Sequence, residues 1–393
     1  MKRREFVVKS SLAALGLSRT GLYGQFKQTK SANETIQIGV IGTGQRGAGL
    51  IPFLQEIDHF NVAACCDVLP FRLEEALKRA PNARPYDNYE ELLSNKDIDA
   101  VLIATPFYLH DEVSLAAIDA GKHVYCEKTM AKGIPEIQAL VKKVEKSSLI
   151  FQTGHQYHSS RLYTHVVDLI KNQKIGKIAA VECQWNRHGN WRREVPSPEL
   201  ERAINWRMYK EYSGGLAAEL CSHQIDFTNW ILNETPIHAM GIGGIDYWKD
   251  GRETFDNIHL MYAYPGGVKA TFTCLTSNAL DGYKIKVLGD KGTIILDYTK
   301  AWYLPETDEE KILGEADGVT GATVNWEKDK GYPIKVDHIN PSKQALVDFG
   351  ECIKNNTQPV SDVLSGAKTS MCVNMGLEAM HEKKIVQWHS LEN

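Results

Sequence analysis

The sequence predicts an α/β protein, a doubly wound parallel sheet followed by a second domain rich in strand hairpins and closed by helices. Three observations predict it. Strand and helix signals alternate from Ile36 to Cys126, the βαβ rhythm of a parallel sheet. A G-x-G-x-x-G stands where the first strand meets the first helix. From Asn257 onward, short strand-like runs are separated by Gly- and Pro-containing turns. At 393 residues the chain suits two domains rather than one, and 43% hydrophobic residues are enough to bury a large core.

Residues 1–30 stand apart from the fold. Adjacent Arg3 and Arg4, then Phe6-Val-Val-Lys9 and the apolar stretch Ser11-Leu-Ala-Ala-Leu-Gly-Leu17, have the order of a twin-arginine export signal with its linker. A basic tail or short amphipathic arm is the plainer reading. The signal implies a periplasmic or otherwise exported protein, and no Cys near the apolar stretch supports a lipid anchor. These thirty residues carry seven Lys or Arg and one Glu, so without them the net charge falls from −4 to −10. An acidic body disfavours nucleic acid as a partner. No stretch approaches the ~20 apolar residues of a membrane-spanning helix. The eight Cys are scattered, and Cys65 and Cys66, adjacent in a strand, point to opposite faces, which argues against a disulfide framework.

Residues 34–155 read as a dinucleotide-binding domain. Ile36-Gln-Ile-Gly-Val-Ile41 is a buried parallel strand, running into Gly42-Thr-Gly44-Gln45-Arg46-Gly47 and then a helix. Gly42 allows the tight turn, Gly44 the approach of backbone to a pyrophosphate, and Gly47 the close packing of helix on strand. The pyrophosphate then rests at the helix N-terminus, where free N–H groups and the dipole attract it. Asn61 to Asp67 is the second strand, ending in an acid twenty positions after Gly47, where a ribose-binding carboxylate belongs. Its charge repels a 2′-phosphate, so NAD is expected over NADP, with Arg72 the one cation nearby. Asp99 to Thr105 is a strand stopped by Pro106, Glu112 to Ala120 a helix ended by Gly121, and His123 to Cys126 a strand. Ligands bind beyond the carboxyl ends of such strands, which marks Thr105, Pro106, His110, Glu127 and Lys128 as site candidates.

Further along, Phe151-Gln-Thr-Gly-His155-Gln156-Tyr-His158 leads through Arg161 into a helix. The stretch from Gln184 to Met208 places Trp185, Trp191 and Trp206 among Arg187, His188, Arg192, Arg193 and Arg207. Core packing calls for apolar neighbours, and these are polar. Flat aromatic faces beside multi-donor side chains suit a sugar ring, so Arg161, Trp185, His188, Trp206 and Arg207 are candidate substrate contacts. An oligomer contact is the competing reading. Asn257–Tyr264, Gly267–Thr273, Tyr283–Gly289 and Gly292–Tyr298 read as strands, 303–335 as an acidic surface excursion, and Ser342–Asn355 and Ser365–Met380 as closing helices.

The residues Ile38-Gly-Val-Ile-Gly-Thr-Gly44, Cys66-Asp67, Ala104-Thr-Pro106 with His110, and Gly121-Lys-His-Val-Tyr-Cys-Glu-Lys128 resemble the glucose-fructose oxidoreductase, inositol dehydrogenase and rhizopine-catabolism (Gfo/Idh/MocA) family. Ser213 to Asp226 resembles its second signature, and the likeness runs from about Ile36 to the C-terminus. The resemblance implies a Rossmann domain holding a nicotinamide cofactor and a C-terminal α+β domain (156–393) with an open, largely antiparallel sheet. That sheet often packs in homodimers or homotetramers. The implied activity is hydride transfer between NAD and a hydroxyl or ketone of a sugar or cyclitol, with His155 and Gln156 near the cofactor. Two departures stand out. Thr129 replaces the Pro of Glu-Lys-Pro, and Glu219 and Cys221 replace the Asp and Gly of Asp-x-Gly-x-His, while His223 stays.

Oxidising a secondary alcohol needs a base near neutral pKa beside the reacting carbon. Lys128 and His223 are the candidates, and Glu219, four residues before His223, would orient the imidazole if the segment is α-helical. Glu219 and His223 with His155 or His158 also permit a zinc site, but no Cys/His cluster reinforces it, and none is expected. A sugar or glycoside dehydrogenase is the leading expectation. An NAD-dependent glycosidase, working by transient oxidation and elimination, is the alternative, though a Tyr-Pro-Thr-His element is lacking. A non-catalytic sugar sensor is the third reading, opposed by the retention of Lys128 and His223.

Overall fold

The computed structural model describes residues 35–306 and 331–390. The candidate export signal and the centre of the 303–335 excursion lie outside the described residues.

The first domain is built as its alternating pattern dictates. Strands β1 (Ile36–Ile41), β2 (Phe60–Cys66), β3 (Arg84–Tyr86), β4 (Ala100–Ile103), β5 (His123–Cys126) and β6 (Phe151–Thr153) form a parallel sheet of order β3-β2-β1-β4-β5-β6. Helices α1 (Gln45–Gln55), α2 (Pro70–Arg79), α3 (Tyr89–Ser94), α4 (His110–Asp119) and α5 (Ile134–Glu145) connect them. Because helices cover both faces, β1 and β4 are apolar almost throughout rather than alternating. Cys65 and Cys66 join opposite cores, as the strand period requires. All eight Cys are buried free thiols, and burial pushes Cys65 and Cys66 up to about 12.

The second domain carries helix α6 (Arg161–Lys171), strand β7 (Ile178–His188), the short α7 (Glu201–Ile204) and α8 (Ser222–Leu232). Then come β8 (His238–Gly244), β9 (Asn257–Ala263), β10 (Lys269–Leu275), β11 (Ser277–Gly289), β12 (Gly292–Leu296), β13 (Ala301–Pro305) and β14 (Tyr332–Ile334). With β15 (Val386–Gln387) they make an open sheet, β14-β13-β12-β11-β7-β10-β9-β8-β15. Every pair is antiparallel except β7 with β10. One face alternates buried residues such as Val181, Cys183, Phe272 and Val287 against α6 and α8.

The closing helices are α9 (Pro341–Asn355), capped by Asn340, and α10 (Val363–Glu382), capped by Asp362. They follow the second domain in sequence, yet α9 packs on the first domain and α10 packs on both, its Cys372, Val373, Met375 and Ala379 joining the second-domain core. Leu346 and Phe349 of α9 enter the core of Ile36, Ile38 and Tyr125. Val363, Ala367 and Met371 of α10 enter that of Met130 and Phe151. Burying these side chains contributes about 1.5–3 kcal/mol for each of the larger ones, which locks the two domains around the cleft between them.

Candidate active site

The glycine turn is forced by its surroundings. Gly42 has φ +86°, and a Cβ there would lie 2.6 Å from the backbone of Ala104 and Thr105. A Cβ on Gly47 would lie 2.0 Å from the Gly42 carbonyl oxygen. Gly44 instead faces the cleft, with Arg72 Nη1 3.6 Å from where its Cβ would be. The three glycines therefore bring β1, β4 and α1 together and leave the N-terminus of α1 bare for an anion. Asp67 supports the turn from β2. Its Oδ2 accepts from Thr43 N at 2.8 Å and its Oδ1 from Leu69 N at 2.9 Å.

A cleft of about 1040 Å3 runs from Asp67 and Arg72, past Gly44 and Gln45, to Lys128, Glu219 and His223. Its length and its glycine cradle fit a dinucleotide, with the adenosine toward β2 and the nicotinamide toward β4 and β5. Thr105 Oγ1, at the β4 end of the same cleft, is a buried hydroxyl without a hydrogen-bond partner among the described residues. His110 braces this end. Its Nδ1 is 2.8 Å from the Thr129 carbonyl oxygen and its Nε2 3.0 Å from that of Thr105. Burial lowers its pKa, although both carbonyls oppose that, so a neutral ring donates to one of them.

At the nicotinamide end, Arg46 Nε donates to Glu127 Oε1 at 2.8 Å and Nη1 to Ser342 Oγ at 3.1 Å. The Arg46 side chain thus ties α1 to β5 and α9. Lys128 Nζ donates to the carbonyls of Glu219, at 3.0 Å, and Ala218, at 3.3 Å. Both carbonyls belong to a π-helical turn, residues 217–221, ahead of α8, and such turns break the i to i−4 ladder. The Lys128–Thr129 peptide is cis, and Thr129 Oγ1 donates to Ala218 O. Burial lowers the Lys128 pKa, with Arg207 and Arg46 acting the same way and Glu219 and Glu127 opposing.

The expectation that Glu219 orients His223 is not met. In the π turn the carboxylate points to Arg207, whose Nε donates to Oε2 at 2.7 Å, and His223 Nδ1 has no hydrogen-bond partner among the described residues. Widening the turn carries the i, i+4 pair off a common face. His223 is packed against Tyr157, Trp185 and His155. Burial, then the charge of Lys128, holds its pKa well below the ordinary value, so the ring is neutral.

Behind His223 lies a buried cluster that sequence reasoning missed. Asp226 Oδ2 is 2.8 Å from His158 Nε2, its Oδ1 accepts from Thr369 Oγ1 at 3.1 Å, and His155 Nδ1 is 3.7 Å from Oδ1. Asp226 falls three residues after His223 on one face of α8 and ends the Ser213 to Asp226 stretch, and these are the two sequence signals that could have found it. Burial holds His155 at about 4. Between pH 6.5 and 4 the unfolded chain therefore binds a proton there that the folded one refuses, and stability drops by about 3 kcal/mol as pH falls. The Asp226 contribution, its pKa lowered, is lost only below 3.8. Thermal melts across pH 7 to 4 should show this decline added to those of His110 and His223, and His155→Asn should make it less steep.

Not every candidate reaches the cleft. Gln45, Gln156, Trp185, Trp206 and Arg207 line it, whereas Arg161 pairs with Asp348 on the surface and His188 faces Trp248. His155 sits one layer behind. Arg187, Arg193 and Tyr212, outside the expected substrate contacts, also line the cleft.

Comparison with known proteins agrees with this geometry. Residues 36–155 match the oxidoreductase family domain described as an NAD-binding Rossmann fold, and residues 167–388 match the C-terminal alpha/beta domain of the same Gfo/Idh/MocA group. The first domain is accordingly an NAD-binding one. A 2,7-anhydro-N-acetylneuraminate hydratase of Escherichia coli is 27% identical over 347 residues, 85% of this chain and 87% of that protein. A myo-inositol 2-dehydrogenase of Thermotoga maritima is 25% identical over 285 residues, 71% and 80% of the two chains. In fold, the chain is similar to myo-inositol 2-dehydrogenase from Lactobacillus plantarum, with TM-score 0.71 and 19% identity over 91% of this chain and 100% of that one. A levoglucosan dehydrogenase solved with NADH gives TM-score 0.72 and 18% identity over the same shares.

Proposed function

The chain belongs to the Gfo/Idh/MocA oxidoreductase family, and we propose that it transfers a hydride between the nicotinamide of NAD and a secondary hydroxyl or ketone of a sugar or glycoside. One observation carries this reading. Lys128 and His223 meet under an aromatic roof at the end of the cleft where the nicotinamide belongs.

Bound NAD supplies the hydride acceptor. Lys128 takes the hydroxyl proton as the C–H bond breaks, and returns it in the reverse direction. Burial prepares it by favouring the neutral amine, and a nearby nicotinamide cation would push the same way. The Glu219 and Ala218 carbonyls aim the amine. His223, neutral, donates its ring N–H to the oxygen of the same hydroxyl and fixes its direction. Trp185 and Trp206 offer apolar faces to the sugar ring and keep water from it.

Glu219 tunes Lys128 rather than His223. Its charge raises the Lys128 pKa, so Glu219→Gln should lower it further. The oxidation rate, which needs the neutral amine, should then rise at lower pH than in the wild type; steady-state rates across pH 6 to 10 would show the shift.

Export and oligomer formation belong to the same reading. Export rests on Arg3 and Arg4, and conversion of both to Lys should retain the protein in the cytoplasm on cell fractionation. Assembly is supported by Met240, Ile242 and Met261, exposed together on β8 and β9 of the second sheet, and light scattering would give the mass. The activity is tested by purifying the protein without added cofactor, measuring bound NAD, and supplying myo-inositol and a panel of glycosides. Net NAD reduction supports the dehydrogenase. Aglycone release without net reduction would mean the glycosidase, and binding unchanged by Lys128→Ala with neither outcome would mean a sensor.

A further inference from the structure

A side cavity of about 400 Å3 opens off the main cleft. Gln45 is its one contact with the first domain; the rest of its wall is second-domain residues, including Arg187, Arg192, Arg193 and Arg207. Two of these guanidinium groups are balanced by carboxylates. Arg207 is bonded to Glu219, and Arg192 to Glu201 and Asp250.

The other two are not. Arg187 lies 4.9 Å over the Trp191 ring, and Arg193 donates to the neutral amide oxygen of Gln45; among the described residues neither has a carboxylate partner. The Arg193 pKa is lowered by burial and then by the positive charges of Arg207 and Arg72. Both side chains are open to the solvent of the cavity, so an anion entering it meets two guanidinium groups with no ion pair to break.

The surrounding loop is built to hold these groups in place. Trp191 has φ +71°, a left-handed conformation that a bulky side chain rarely adopts. Asn190 before it is gripped by Arg252 through both its backbone and side-chain oxygens, and its Oδ1 accepts from Arg192 N at 3.2 Å. Asn205 fastens the next residue, accepting from Arg193 N at 2.8 Å and donating to Arg193 O at 2.9 Å.

We propose that this side cavity binds an acidic substituent of the substrate, a carboxylate or a sulfate ester, making the substrate an anionic carbohydrate; this rests on the sugar oxidoreductase reading. Glu219 walls both the side cavity and the Lys128 end of the cleft, so the acidic group lies beside the ring that is oxidised. The cofactor's pyrophosphate is a different anion with its own cradle, the α1 N-terminus with Arg72 at Gly44. A forked guanidinium can offer paired N–H donors to two oxygens of one acid, and both groups line this cavity.

The test is calorimetric titration of the NAD-loaded protein with matched pairs: methyl β-D-glucuronide and glucoside, the galacto pair, and the 6-sulfate of each neutral glycoside. At least one acid should bind about tenfold or more tightly than its neutral parent. That advantage should vanish in Arg187→Gln/Arg193→Gln, with the NAD content unchanged. Whether uronide or sulfate gains the preference identifies the anion. Two results would overturn the proposal: no acid outbinding its parent, or loss of bound NAD in the double variant, which would assign the guanidinium groups to the pyrophosphate. NADH formation is read separately. Acid-selective binding that the variant abolishes, without any NADH, would sink the redox reading and leave the anion site standing.

Discussion

Lys128→Ala should lower the rate of hydride transfer about a thousandfold while NAD stays bound, the loss expected when a positioned proton acceptor is removed. Lys128 is the group whose environment moves it toward neutrality, since burial disfavours the ammonium form. His223 moves the other way for a base, its pKa pushed well below the ordinary value, so the ring is neutral but a weak proton acceptor. Lys128→Arg separates chemistry from architecture. An arginine can still donate to the Ala218 and Glu219 carbonyls but does not deprotonate. If the residue served only to join the two domains, arginine would restore the rate; as the proton acceptor, it should remain as slow as alanine. Single-turnover reduction of the bound nicotinamide gives the readout.

Gly47→Ala should abolish NAD binding, weakening it by at least about a hundredfold, and lower the melting temperature by several degrees. The new methyl would sit 2.0 Å from the Gly42 carbonyl oxygen, and that contact is with backbone that cannot swing aside. Relief requires α1 to move off β1, carrying with it the N–H groups that face the pyrophosphate. Gly49, on the same helix with nothing within 4 Å, is the control. Gly49→Ala should leave NAD binding unchanged and stabilise the helix by about 0.8–1 kcal/mol. NAD content of the purified proteins and their melting curves measure both.

Much of the first domain was legible because a buried parallel strand and a glycine turn leave marks within a few residues of each other. The strand ends found from apolar runs and Pro106 coincide with the floor of the cleft, and Asp67 lies where its spacing put it. The second half of the site was less legible for a physical reason. A π turn looks like any helix in sequence, so Glu219 and His223 appeared to share a face, and only the backbone shows that the carboxylate turns to Arg207. Lys128 hydrogen-bonds carbonyls ninety residues away in the chain, and no local pattern encodes such a contact. Arg161 and His188 have the composition of sugar contacts, yet lie outside the cleft because α6 and the end of β7 turn them to solvent. The aromatic–arginine stretch pointed to the correct wall, but not to which guanidinium groups keep a carboxylate partner.

Transfer of isotope offers the most direct test of the proposed redox role. The NAD-loaded protein is mixed with sugars and cyclitols carrying deuterium at every ring carbon, and the released nicotinamide nucleotide is weighed by mass spectrometry. One deuterium should appear on the nucleotide for an accepted sugar, about a thousandfold more slowly with Lys128→Ala. A nucleotide that stays unlabelled with every sugar, while remaining bound in the cleft, would contradict net hydride transfer as the function.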